Sequence, residues 1–564
     1  MWNKKWLSIT NSVLALFTLM LYLAYHTTMF FLGYYTFPAM PYIVMAVLMT
    51  LVVLSLLDTL HKHNKKMTIV LTISNIICLG LLIGIYIVSN QQLIVYFRTI
   101  PKVLGIYLII FIIVYLIFYF PKSKYKTKTV SIVLCVVLCV ATLIGFSGIK
   151  NLKINRFEEG AVVYAVEDEY QIVFTTACKG TGFVKIGDNI YYDEEAGNLV
   201  HSETVHKITV PQAVLDENKS YTIGSRSILI EEAFSAITGR TITKEFKFRP
   251  IDETDGIQYY TVADAHDNFS GVINAANYYG DKTDFVVVAG DNVNYVESTD
   301  SLERILHLNY EVSKGQIPIV YARGNHELNG ESSNELKEYV GTNENDEFYF
   351  TFNLGESVWG MVLDMGQNYN DDWYEYYGVA KSEDYRYKQI DFVKDVIANK
   401  ENTYNAEGIE HKIGISHINT AITDYKQKLF YDYFVELNES LNQIPLDIML
   451  SGHVHEAFYV PNDYLVGNEL TLENTDYIGG ESSGIPKYVA TGANYHSLLC
   501  SRHSDIQSLS KKNNFVNGSY LGVALEYNID DEVLEVRFTN SKNEIVEAQN
   551  PFKQESYGKV IYLS

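Results

Sequence analysis

The hydrophobic pattern changes character twice along the chain. Five nearly unbroken apolar runs come first, at about 6–24, 38–57, 68–88, 103–120 and 130–146. Each approaches the ~20 residues a helix needs to cross ~30 Å of hydrocarbon. None carries a charge in its middle, so the runs predict a membrane anchor of five transmembrane helices over 1–150. From Gly160 to about Pro250 the pattern turns to alternation. Ala161–Val166, Tyr170–Thr175, Gly182–Ile186 and His206–Val210 read as short strands, with turns at Lys179-Gly180 and Gly187-Asp188-Asn189. That spacing predicts a small β-sandwich over 151–250, with His201 and His206 on its surface. From 251 to 564 strands alternate with a helical stretch. Tyr259–Ala263, Phe285–Ala289 and Ile317–Tyr321 read as strands, and Thr299–Lys314 reads as a helix with Leu302, Ile305, Leu306 and Tyr310 on one face. This order predicts a parallel α/β core.

Charge adds an orientation. Lys4, Lys5, Lys62, Lys65, Lys66, Lys122, Lys124, Lys126 and Lys128 flank alternate sides of the apolar runs, and the opposite loops hold only Arg98 and Lys102. Positive loops stay in the cytoplasm. The N-terminus is therefore expected inside, with everything after about Ser147 extracytoplasmic. The acidic residues behind the net charge of -23 fall almost entirely after residue 150. Such a balance excludes nucleic-acid binding by charge attraction. Five cysteines form no disulfide framework, and a Cys178–Cys500 pair is left open by the sequence.

Candidate chemistry gathers just past the strands of the third region. Asp264-Ala265-His266 follows the first, and residues two apart on an extended strand end point the same way. Gly290-Asp291 follows the second, and Gly324-Asn325-His326-Glu327 the third. Lys412–Ser416 leads to His417, and Asp447–Ser451 leads to Gly452-His453-Val454-His455. Sites in such sheets form at the C-terminal ends of the strands. Asp267 and Asn268 stand where they could touch a substrate. Asp364 reads as structural, and Tyr369–Tyr387 as either a cleft loop or a solvated insertion.

This ordered series resembles the signature of the calcineurin-like metallophosphoesterases over about Ile257 to Tyr459. The resemblance implies an αββα four-layer catalytic domain, followed here by a β extension, and a hydrolase of phosphate mono- or diesters. It implies two metal ions, one held by Asp264, His266 and His455 and the other by Asn325, His417 and His453, with Asp291 bridging. A hydroxide bridging the metals would attack phosphorus, and His326 would stabilise the transition state or protonate the leaving oxygen. The nitrogen and oxygen ligands suit Mn, Fe, Zn or similar ions. The strand order over 151–250 resembles the fibronectin-type domain of purple acid phosphatases. The tyrosine that binds ferric iron there is Asn294 here, and His266 stands where that subfamily has glycine, which argues against a tyrosinate-iron centre. The whole reads as a membrane-bound, extracytoplasmic metallophosphoesterase whose partners are the lipid bilayer and a phosphate-ester substrate. A catalytically inactive membrane sensor or binding protein is the alternative.

Overall fold

The computed structural model describes residues 4–31, 48–49, 51–55, 58, 65–88, 154–193, 203–230, 237–373, 378, 380–424, 428–455, 457–471, 487–503, 520–550 and 555–563. The chain divides into two compact units, one of residues 1–152 with 228–239 and one of 153–227 with 240–564.

In the first unit, helices span Lys4–Phe31 and Lys65–Val88. Their polar residues turn towards each other. Asn11 donates through Nδ2 to the Thr68 carbonyl at 3.2 Å and to Thr72 Oγ1 at 2.9 Å, and Asn75 donates to the Asn11 carbonyl at 3.3 Å. Ser8, Asn11, Ser74 and Asn75 are buried, whereas Val13, Phe17, Met20, Ile73 and Ile76 are exposed. Among the described residues, no helix is long and apolar enough to cross a membrane. Described side chains cover only 7–20 and 22 of the first helix and 68–81 and 83 of the second. The expected spans at 103–120 and 130–146 lie outside the described residues, as does much of 38–57.

Among the described residues, the two larger sheets form the core of the second unit. Strands Ile257–Val262, Phe285–Ala289 and Pro318–Ala322 run parallel at the centre of the larger one. Tyr520–Asn528 pairs antiparallel outside the first of them. In the smaller sheet Val358–Leu363, His411–Ser416, Ile448–Ser451 and His496–Cys500 run parallel. Each central strand is buried on both faces, which is why these strands read as continuous apolar runs. Alternate side chains go to different cores. Tyr259, Phe285, Val287 and Val320 meet Val362, Ile413, Ile415 and Leu450 between the sheets. Tyr260, Val286, Val288 and Tyr321 pack outward against Leu302, Ile305 and Leu306 of the Thr299–Ser313 helix. The far face of the smaller sheet is covered by helices Ser382–Ala398 and Lys428–Leu441. The result is four layers, helix, sheet, sheet, helix. Arg323 and Asp364 join the two sheets at their C-terminal ends, 2.5 Å apart.

The separate β-sandwich expected over 151–250 is not what forms. Val162–Val166 pairs in parallel with Pro318–Ala322, so the β region continues the larger sheet. The turn expected at Lys179-Gly180 is instead an irregularity inside one long strand, Glu169–Ile186, whose register shifts between Thr175 and Gly180. Such a bulge bends a strand without ending it. His206, expected on the surface, is fully buried. It shares the inward face of its strand with Ile208 and Val210, and its Nδ1 lies 2.5 Å from Asp193 Oδ2. No disulfide joins Cys178 and Cys500.

Candidate metal centre

The parallel strands of both sheets point their C-terminal ends the same way, and five loops converge there. Val262 is in register with Val288, and Ala289 with Ala322, which sets the loops bearing Asp264, Asp291 and Asn325 side by side. In the smaller sheet Ile415 is in register with Leu450, which brings His417 beside the His453–His455 loop.

These loops turn sharply. Asp264, His266, Asp267, Asp291, His453 and His455 all have positive φ, between 42° and 73°. Side chains rarely occupy this left-handed region, and such strain clusters at functional sites. The adjoining glycines permit the close approach. A Cβ on Gly324 would collide with the Asp291 carboxylate, and one on Gly452 would stand 2.6 Å from Asp264 Oδ2.

Two groups of ligand atoms result. Asp264, His266, Asp291 and His455 form one, and Asp291, His417 and His453 form the other, the atoms of each lying within 4.8 Å of one another. Asp291 belongs to both. His266 Nε2 faces His455 Nε2 at 3.0 Å, and His455 Nε2 stands 3.5 Å from Asp264 Oδ1. His417 Nε2 is buried without a hydrogen bond, 3.1 Å from Asp291 Oδ2. His453 Nδ1 lies 2.9 Å from Asn325 Oδ1. Converging lone pairs at this spacing are the edges of a coordination shell with bonds of about 2.1 Å. The orphaned His417 nitrogen and the two facing imidazoles therefore fit metal ions, and the cluster is consistent with a dinuclear site.

A second ring of groups holds these residues in place. His417 Nδ1 donates to the Ala289 carbonyl at 2.7 Å, which directs its Nε2 inward. Glu327 is fully buried and accepts three backbone N–H groups, from Asp291 at 2.9 Å, Asn292 at 2.6 Å and Gly324 at 3.0 Å. Ser501 donates its hydroxyl to Asp264 Oδ2, which also accepts the His453 N–H at 2.9 Å. Asn294 touches two histidines. Its side-chain oxygen is 3.2 Å from His266 Nδ1, and its carbonyl accepts from His326 Nδ1 at 2.7 Å. His326 is thereby left with Nε2 on the side of Asp291, 3.9 Å from Oδ2.

Electrostatics follow from burial of this many charges. Burial alone would raise the Asp291 carboxyl, but the imidazoles of His417, His326 and His266 outweigh it and hold Asp291 well below the usual range. Burial lifts Asp264 to about 6 against the opposing pull of His417. Burial disfavours charge on His417, yet Asp291 and Asp264 raise it to about 10. His453, buried and next to His417, is pushed down to about 3. Burial and Asp291 lift Glu327 to about 7.

The structure thus brings together Asp264, His266, Asp291, Asn325, His417, His453 and His455, with His326 beside them. Residues 258–457 match the family described as calcineurin-like phosphoesterase. The chain carries a calcineurin-like phosphoesterase domain. With its intact His/Asp cluster it is a metal-dependent phosphoric ester hydrolase. No curated protein matches the chain. Among solved structures it is similar to PhoD, at 11% identity over 70% of this chain and 94% of that one, with a TM-score of 0.36. It is also similar to a conserved uncharacterized protein, a predicted phosphoesterase, from Streptococcus pneumoniae TIGR4, at 14% identity over 54% and 96% of the two chains and a TM-score of 0.22. A third is the phosphopantetheinyl hydrolase of Mycobacterium tuberculosis, at 11% identity over 47% and 95% and a TM-score of 0.25.

Three contributors to the phosphoesterase site carried no assigned role in the sequence. Glu327 ends the Gly324–Glu327 motif, and only the fold shows that it faces back towards Asp291. Asn294 stood out by its spacing from Asp291 but not by its bonds. Ser501 had no signal at all, because it reaches the site only through the pairing of His496–Cys500 with Ile448–Ser451. Asp267 does not reach into the ligand cluster; its carboxylate meets Arg304 and the Asn294 amide. Asn268 leads into the helix Phe269–Ala276, its own N–H bonded to the Ala265 carbonyl. Asp364 is buried and structural, bonded to Arg323 and Tyr385. In the aromatic segment Tyr369 stacks on Trp373.

Proposed function

We propose that the protein is a membrane-anchored, extracytoplasmic phosphoesterase with two metal ions. One ion would be held by Asp264, His266 and His455, the other by Asn325, His417 and His453, with Asp291 shared. The observation that carries this reading is that Asp291 alone belongs to both ligand groups. Two close cations repel, and an anionic ligand common to both offsets that repulsion. Divalent ions of the Mn, Fe or Zn type, when bound there, would supply a nucleophilic hydroxide near neutral pH and offset charge on the phosphoryl oxygens.

The remaining work falls to the chain. His326 is half-buried and anchored through Nδ1, so Nε2 is placed to hold a proton for the departing ester oxygen. Asp291, Asp264 and His417 are buried, which shields their own ligand atoms from bulk water, while His453 and His455 are half-buried on the open side. The substrate class is a phosphate mono- or diester met outside the cytoplasm.

Anchoring is supported by the first unit, whose helices bury serine and asparagine while exposing valine, methionine and isoleucine. This is inverted relative to a helix pair in water, and it suits lipid, where polar side chains join helices. The lysine asymmetry of the loops supports an outward-facing phosphoesterase domain.

The test is metal analysis of the full-length protein together with hydrolysis of an aryl phosphate ester. Two metals per chain and activity lost in Asp291→Asn are expected. Two bound metals with no turnover of any mono- or diester would favour a binding protein instead. Protease added to intact cells should reach residues after Gly160, and protection there would overturn the orientation.

A further inference from the structure

We propose that Asn294 is a positioning residue for the metal ligand His266, locked in orientation by the Asp267–Arg304 pair. The inference rests on the two-metal reading above. Its starting point is a chain of four side chains running from the surface to the cluster. Arg304, on the Thr299–Ser313 helix, donates Nη1 to Asp267 Oδ1. Asp267 Oδ2 accepts the Asn294 side-chain amide at 2.8 Å. Asn294 Oδ1 lies 3.2 Å from His266 Nδ1.

Each link dictates the next. An asparagine amide can be turned either way, and only its partners decide which end is oxygen. A carboxylate paired with a guanidinium only accepts, so the Asn294 nitrogen must face Asp267. The Asn294 oxygen must then face His266. An acceptor there requires a proton on His266 Nδ1, and the lone pair is left on Nε2. That nitrogen is the one facing His455 Nε2 at 3.0 Å, inside the first ligand group. Arg304 thus acts at a distance, fixing through Asp267 and Asn294 which His266 nitrogen can bind metal.

The backbone gives a reason for such support. His266 and Asp267 both have positive φ, 42° and 66°. Residues in that region persist only where their surroundings over-determine them. The Asn294 amide, the Asp267 N–H bonded to the Asn292 carbonyl at 3.0 Å, and the Asp267–Arg304 pair supply that constraint. Only the first ligand group is served. His417 is set by the Ala289 carbonyl instead.

The test titrates full-length protein, stripped of metal in mild detergent, with Mn2+ by calorimetry. Wild type should show two sites. Asn294→Leu should keep one and weaken the other by about 10–100-fold, the usual cost of losing such a partner. Asp267→Asn and Asn294→Asp should each weaken the same site, because each breaks the donor–acceptor match. The double variant Asp267→Asn/Asn294→Asp reverses the pair and restores the match. It should recover affinity to within about threefold of wild type, a rescue that a merely structural role does not produce. Unchanged Mn2+ binding in Asn294→Leu, equal weakening of both sites, or no rescue in the double variant would each overturn the inference. Fewer than two Mn2+ in wild type would sink the two-metal reading itself, a separate readout.

Discussion

Glu327 accepts the backbone N–H of Asp291 at 2.9 Å, so a fully buried carboxylate holds the loop whose Asp291 side chain is common to both candidate ligand groups. The same side chain accepts from Asn292 and Gly324. Its place in the Gly324–Glu327 motif is therefore one of loop closure, not of ligation. Glu327→Ala strands three buried N–H groups. Each orphaned group costs about 1–3 kcal/mol, so a loss of several kcal/mol in denaturant unfolding is expected, with metal content falling in parallel. Glu327→Gln keeps one acceptor oxygen and should lose less. Near-wild-type stability of the alanine variant would show that the clamp is dispensable.

The second prediction concerns protons. In the metal-free protein His417 is raised from 6.5 to about 10 by Asp291 and Asp264. A group raised on folding contributes stability that is complete below its unfolded value and is lost as pH rises through the folded one. Metal-free protein should thus be more stable near pH 6 than near pH 10. Metal must displace that proton, so affinity at the His417 site should fall about tenfold for each unit of acidification below about pH 9. His453, pushed down to about 3, is already neutral and adds no proton. Calorimetric Mn2+ titration in buffers of different ionisation enthalpy counts the protons released. A count near zero at neutral pH contradicts the assignment.

Arg323 and Asp364 make the third case. Arg323 donates Nε to Asp364 Oδ2 at 2.8 Å and lies over the Phe348 ring at 4.0 Å. Asp364 is buried at the end of the Val358–Leu363 strand, and Arg323 directly precedes the metal-site motif. Arg323→Met retains the stacking but leaves a buried carboxylate with only Tyr385 and its own backbone turn. Breaking such a pair costs about 3–5 kcal/mol. The double variant Arg323→Met/Asp364→Leu removes the uncompensated charge and should regain much of that loss. Equal stabilities for the single and double variants would show that the uncompensated Asp364 charge is not the source of the loss.

The clustering of the candidate ligands was legible because it rests on local spacing. Asp264, Asp291, Asn325, His417 and His453 each follow an apolar strand, and parallel sheets gather strand ends. What escaped was long-range. The sandwich expected over 151–250 merged into the larger sheet because alternation marks a strand without naming its partner, and Val163 pairs with Pro318, far along the chain. His206 went inside because its strand buries alternate residues, a choice of face that residue type alone suggested wrongly. Arg304 and Ser501 joined the site through helix docking and strand order, which no spacing records.

The last prediction separates lipid from water around the first unit. Ile76 lies mid-way along the Lys65–Val88 helix and is 58% exposed, while its neighbours Ser74 and Asn75 are buried. If the exposed face meets water, Ile76→Lys is neutral or improves solubility, since a lysine on a solvated helix is unstrained. If it meets lipid, the charge costs about 2.5–3.5 kcal/mol at the helix centre. We expect the variant to lower the fraction of chain recovered from membranes in folded form, whereas Ile76→Leu does not. Asn75→Leu supplies the complementary arm. It removes the bond to the Asn11 carbonyl, and such interhelical bonds are worth about 0.6–2 kcal/mol in bilayers. A smaller loss than for Ile76→Lys is expected. Full recovery of Ile76→Lys in the soluble fraction, with activity intact, would refute a lipid-facing surface.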